Sequence, residues 1–191
     1  MKSLRSPLFA LLLLMIVLLL IGIPLLSRGS PAPPVDDGRL IEFRSEKLGF
    51  RVSYPAAWQA LEDPRDLVGP SPTDLHAVAF VPSPDSKALV LVYVQTLTTT
   101  QTLDEYANRQ MLDLRANEAQ AQFSDLKPLK MGGVDARSTH ATVTSENPAR
   151  DVRLVCALSG QRAYALTYTG PSDGRYPTAF NAVVDSFAFL P

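Results

Sequence analysis

Ala88-Leu89-Val90-Leu91-Val92-Tyr93-Val94 is apolar at nearly every position. A strand with one solvated face alternates apolar and polar residues. An unbroken apolar run of this length therefore reads as a strand covered on both faces and central in its sheet. The flanks agree with that reading. Pro82-Ser83-Pro84-Asp85-Ser86 ahead of it is a turn. Thr102-Leu103-Asp104-Glu105 behind it is a capping box, with Thr102 as N-cap and Glu105 at the third helical position. The helix so opened is predicted to run to about Gln120, with Leu103, Tyr106, Ala107, Met111 and Leu114 as its apolar stripe.

Working outward, Gly49 to Tyr54 alternates as a half-buried strand that Pro55 ends. Pro64 to Asp74 is a Pro-, Asp- and Gly-rich loop, and His76 to Val81 is a second strand. Gly132-Gly133 breaks the chain before Val134 to Thr144, a strand whose short polar residues predict exposure. Asp151 to Leu158 and Arg162 to Thr169 flank Ser159-Gly160-Gln161, a hairpin signal. Pro171 to Gly174 is a turn, and Pro177 to about Asp185 a short helix with Phe180, Val183 and Val184 inward. Ser186 to Phe189 closes the domain. Short turns between successive strands make the sheet mainly antiparallel, in the α+β class. The two-faced strand requires cover on both sides, so the architecture predicted is a sheet sandwiched by helices, or by a helix and long loops.

The first forty residues are of another kind. Lys2 and Arg5 precede an uncharged apolar run, Leu8 to Leu26, which as a helix would span about 28 Å, close to the hydrocarbon thickness of a bilayer. Ser30-Pro31-Ala32-Pro33-Pro34 then forms a stiff spacer. The division predicted is a cytoplasmic N-terminus at 1–7, a transmembrane signal-anchor at 8–26, a Pro-rich linker at 27–39 and an extracytoplasmic domain at 40–191. A cleaved signal peptide is the rival. Ser27 and Gly29 are small residues suitably placed for cleavage before Ser30, but the apolar run exceeds the about 7–15 residues usual for a signal core. The lone cysteine, Cys156, is far from the apolar run, so lipid attachment beside it is closed. The basic N-terminus sets the orientation, inside first.

Gly49-Phe50-Arg51-Val52-Ser53-Tyr54-Pro55-Ala56-Ala57-Trp58 resembles the opening of the PsbP-like family, the extrinsic photosystem proteins and their bacterial DcrB-like and lipoprotein relatives. Thr102 to Tyr106 is similar to the capped start of the family's long helix, Ala163 to Tyr168 to its penultimate strand, and Asp185-Ser186-Phe187 to its closing motif. The resemblance covers about Leu40 to Phe189. It implies an α/β/α sandwich with an antiparallel sheet, and a mostly non-enzymatic role as an assembly factor, a subunit of a membrane complex or a lipoprotein of unclear role. The setting expected from the anchor and its basic N-terminus is the inner membrane of a bacterium, with the domain facing outside the cytoplasm. The peptide anchor departs from relatives held by a lipidated cysteine, and no motif is specific to the photosystem branch.

Chemistry is sparse. A zinc site needs three or four ligands, and His76, His140 and Cys156 lie scattered over three strands. By strand parity Cys156 shares a core face with Val152, Leu154 and Leu158, where a thiol is a small hydrophobe. No catalytic, cofactor-binding or metal residue is assigned and no cofactor is expected. Ser159-Gly160 lacks the strand–elbow–helix setting of a hydrolase. Trp58 and Tyr54 read first as packing at the sheet end. A net charge of −1 gives no basic face for nucleic acid. The function expected is a membrane-anchored module that binds a protein partner or supports a membrane complex. The loops Pro64 to Asp74, Pro82 to Ser86 and Gly170 to Tyr176 are its candidate surfaces. A small-ligand carrier with a cleft near Trp58, Tyr164 or Tyr168 is the alternative, and a hydrolase the third reading.

Overall fold

The computed structural model describes residues 38–64, 75–83, 86–145, 149–172 and 176–191. The predicted anchor at 8–26, nearly all of the linker and most of the Pro64 to Asp74 loop lie outside these residues. So do residues 84–85 of one candidate turn and 173–175 of another. Among the described residues, no helix is long and apolar enough to cross a membrane.

The elements, in order, are β1 (Leu40–Ser45), β2 (Phe50–Pro55), β3 (Gln59–Glu62), β4 (Leu75–Val81), β5 (Leu89–Thr96), α1 (Leu103–Asn117), β6 (Lys127–Met131), β7 (Val134–Val143), β8 (Arg150–Ser159), β9 (Arg162–Pro171), α2 (Pro177–Asp185) and β10 (Ala188–Phe189). Seven strands make one sheet in the order β3-β4-β5-β9-β8-β7-β6, and a smaller sheet has the order β1-β2-β10. Every pairing is antiparallel.

The apolar run became β5, which pairs with β4 on one side and β9 on the other. Val90, Val92 and Val94 bury one of its faces, and Leu91 is buried on the other. The capping box is present: the Glu105 backbone N–H donates to Thr102 Oγ1 at 3.2 Å, and the Thr102 N–H donates to the Glu105 carboxylate at 2.7 Å. The helix ends at Asn117 rather than Gln120, and the Glu118 N–H bonds back to the Leu114 carbonyl. Through Tyr106, Ala107 and Met111, α1 packs on Leu154, Cys156, Ala163 and Ala165.

The opposite face differs from a simple helical layer. It is covered by α2 together with the small sheet, whose Phe50, Val52 and Tyr54 join Phe80, Val92, Tyr164 and Leu166 in one core. The mainly antiparallel α+β architecture is as predicted, while the second layer mixes helix and strand. Because α1 covers one face of this part of the sheet, β7 is less exposed than its short polar residues predict: Thr139, Ala141 and Val143 are buried on that face and Ala136 on the other.

Candidate functional site

Strand parity and register place the functional side chains. On β8, Val155 and Ala157 belong to the core shared with α2, so Arg153 points to that same face. Arg153 stands opposite His140 of β7, Val155 opposite Ser138, and Ser138 in turn opposite Lys127 of β6. Positions of core parity here carry Ser138, His140 and Arg153. They are tolerated because α2 lies over β2 and β9 and stops short of the β6 edge.

The uncovered strip is a cleft of about 440 Å³. Leu129, Val155, Phe180 and Val184 give it an apolar lining; Lys127, His140 and Arg153 stand on the strand side, with Asn181 and Asp185 on the helix side. The hydroxyls of Ser124 and Ser138 complete it.

Ser124 is fixed on the outer edge of β7, beyond the end of β6. Its N–H donates to the His140 carbonyl at 2.9 Å, and the His140 N–H donates to its Oγ at 3.3 Å. Thr139 Oγ1 donates to the Ser124 carbonyl at 2.6 Å and lies 3.2 Å from Ser124 Oγ. His140 Nδ1 sits 3.3 Å from the same Oγ. A serine and a histidine thus meet. The hydroxyl, however, is committed to the strand edge, and among the described residues no carboxylate hydrogen-bonds the imidazole, as an orienting third group would. Arg153 is held loosely, 3.6 Å from the Asp151 carboxylate and 3.5 Å from Asn181 Oδ1.

The three residues weighed as metal ligands are not brought together. His140 and Cys156 project from opposite faces of adjacent strands, and His76 sits on β4, beyond the intervening β5, β9 and β8. Among the described residues, no group of three His, Cys, Asp or Glu could hold a metal ion. Cys156 lies fully buried under α1, and burial pushes its thiol pKa up to about 12. Trp58 is buried edge-on to Tyr176, with ring centroids 5.8 Å apart. Tyr164 is buried too, and its hydroxyl donates to the Leu48 and Gly49 carbonyls. Neither residue lines the cleft, nor does Tyr168.

The cleft is therefore not where the sequence reading looked. Lys127, Ser138, Arg153 and Asn181 were not singled out, and Asp185 only as part of a closing motif. The available signal was parity, because polar side chains at three inward positions of β7 and β8 mark a stretch of sheet with no apolar cover.

No family model and no curated protein matches the sequence. Solved structures do. Cyanobacterial PsbP (CyanoP) from Synechocystis superposes with a TM-score of 0.57 at 16% identity, covering 88% of this chain and 100% of its own. A protein from Bacteroides thetaiotaomicron gives 0.51 at 16% identity, covering 78% of this chain and 48% of its own. LpqN, involved in cell envelope biogenesis of Mycobacterium tuberculosis, gives 0.47 at 14% identity, with 80% of this chain and 91% of its own covered. At such identities the likeness is one of fold, and the fold of this chain is the PsbP-like α+β fold that its motifs resemble.

Proposed function

We propose that this chain is a membrane-tethered, extracytoplasmic and non-catalytic module whose PsbP-like domain binds a protein partner or supports a membrane complex. One observation carries the reading: a PsbP-like fold begins at Leu40, directly behind an uncharged apolar run and a Pro-rich spacer. That order suits a domain held off a bilayer. Leu40 and Ile41, at the start of edge strand β1, are exposed apolar residues beside the spacer. The absence of an orienting carboxylate at His140, among the described residues, supports a binding role over hydrolysis.

Crosslinking and pull-down from solubilised membranes, read by mass spectrometry, tests both halves. A stoichiometric partner and an intact N-terminus are expected. Repeated recovery of the bare protein would remove the partner, and a mature N-terminus at Ser30 would remove the tether.

A further inference from the structure

We infer that the cleft between α2 and the β6–β8 end of the sheet binds a small amphiphilic monoanion, a carboxylate on a short apolar body. This goes beyond partner binding and does not depend on it.

The first argument is shape. At about 440 Å³ the cleft falls within the roughly 300–1,000 Å³ typical of small-molecule sites. Leu129, Val155, Phe180 and Val184 offer an apolar bed from two elements. Such a bed is more favourably covered by hydrocarbon than by water.

The second argument is unspent charge. Two other arginines of the large sheet are tightly engaged. Arg150 meets Glu118 through two bonds of 2.7 Å, and Arg137 meets Asp104 at 2.6 Å. Among the described residues, Arg153 has only the long contacts to Asp151 and Asn181. Lys127 has no ion-pair partner among the described residues, and no protein group there engages His140 Nε2. Three donors thus converge on one side of an apolar bed, and a guanidinium fork suits a carboxylate.

The third argument selects the kind of anion. Asp185 and the negative C-terminal end of α2 form the opposite wall, and Asp151 offsets part of the Arg153 charge. A polyanion would meet repulsion there. A single carboxylate drawn to Lys127, His140 and Arg153 leaves its apolar body against Phe180 and Val184, away from the helix end. The two walls therefore fix both the charge and the direction of the ligand.

Hexanoate labelled with ¹³C at its carboxyl is the probe, titrated by NMR against the full chain in lipid nanodiscs, with empty nanodiscs as blank. Saturable binding at about 1 mM or below is expected. Arg153→Gln and Lys127→Gln should each weaken it about tenfold, and Asp185→Asn, which removes a like charge from the opposite wall, should tighten it. Lys127 is exposed, so Lys127→Gln stays informative even if Arg153→Gln does not fold. The proposal is overturned if hexanamide competes as well as hexanoate, which would mean an apolar pocket only. It is equally overturned if inorganic phosphate competes as well, if binding does not saturate, or if Lys127→Gln leaves it unchanged.

Discussion

The ring of Phe187 lies almost parallel to that of Phe50, with centroids 5.3 Å apart and 11° between the planes. Phe50 opens β2, while Phe187 follows α2, so the stack ties together two ends of the described domain. Both rings are buried, and Tyr164 meets each of them edge-on. Phe187→Ala removes this stack and leaves a cavity, so it should cost about 3–5 kcal/mol. Phe187→Leu should cost less. Urea unfolding followed by circular dichroism measures both, and near-equal midpoints for the Ala variant and the parent would contradict the assignment.

Gly132 and Gly133 form the two-residue turn between β6 and β7, both with positive φ, at 57° and 85°. Their surroundings differ. A Cβ at Gly132 would stand 2.7 Å from Phe189 Cε2 and 3.1 Å from the Phe187 carbonyl, whereas one at Gly133 meets nothing within 4 Å. Gly133→Ala should therefore cost only the left-handed penalty of about 1–2 kcal/mol. Gly132→Ala adds displacement of the Phe189 ring, so its melting temperature should fall further. Equal losses at the two positions would show that Phe189 yields freely.

Cys156 is buried beneath α1 with its thiol pKa raised by burial to about 12, and burial also raises that of the neighbouring Tyr106. The native state keeps these protons where the unfolded chain, with a thiol pKa near 9, releases its own. Between roughly pH 9 and 12 the native form binds more protons, so stability falls as pH rises, by up to about 1.4 kcal/mol per pH unit from the thiol. At pH 8 an aromatic disulfide reagent should react with Cys156 only in denaturant. Rapid labelling of the folded protein would place the thiol at the surface instead.

Arg150 of β8 holds the carboxylate of Glu118, just past the end of α1, through two bonds of 2.7 Å, and both side chains are about four-fifths covered. This bidentate, partly buried pair should couple more strongly than an exposed one. We expect about 1–3 kcal/mol from a double-mutant cycle of Glu118→Gln and Arg150→Gln, diminishing in high salt. A coupling energy near zero would make the contact incidental to how α1 is seated.

Legibility followed signal length. β5 was readable from its unbroken apolar run, α1 from its capping box and the β8–β9 hairpin from Ser159-Gly160-Gln161, because each is a local pattern. β1, β3 and β6 were not predicted as strands. β1 exposes most of its residues, β3 has only four, and β6 carries Pro128, which a strand accepts on the outer edge of a sheet. The mixed second layer was hidden for the same reason, since β1 is largely exposed, β10 has two residues, and both become strands by pairing with β2. The cleft was the least legible feature. It draws Ser124, His140, Arg153 and Asp185 from four separate segments, and only the sheet register and the seating of α2 make them neighbours.

That β2 pairs with β1 on one side and β10 on the other sets an order of events for the newly made chain. Most pairings of the large sheet, β5–β9 excepted, join neighbours in sequence through short connections. The partner of Phe50 and Arg51 is Ala188-Phe189, which leaves the ribosome long after β2 does. Until then Phe50 lacks the ring that stacks on it, and one edge of β2 has no neighbour. A chain stalled or clipped just after α2 would be a poor approximation to the native domain. It would present an open strand beside uncovered aromatic rings, the kind of surface that chaperones hold and proteases clear.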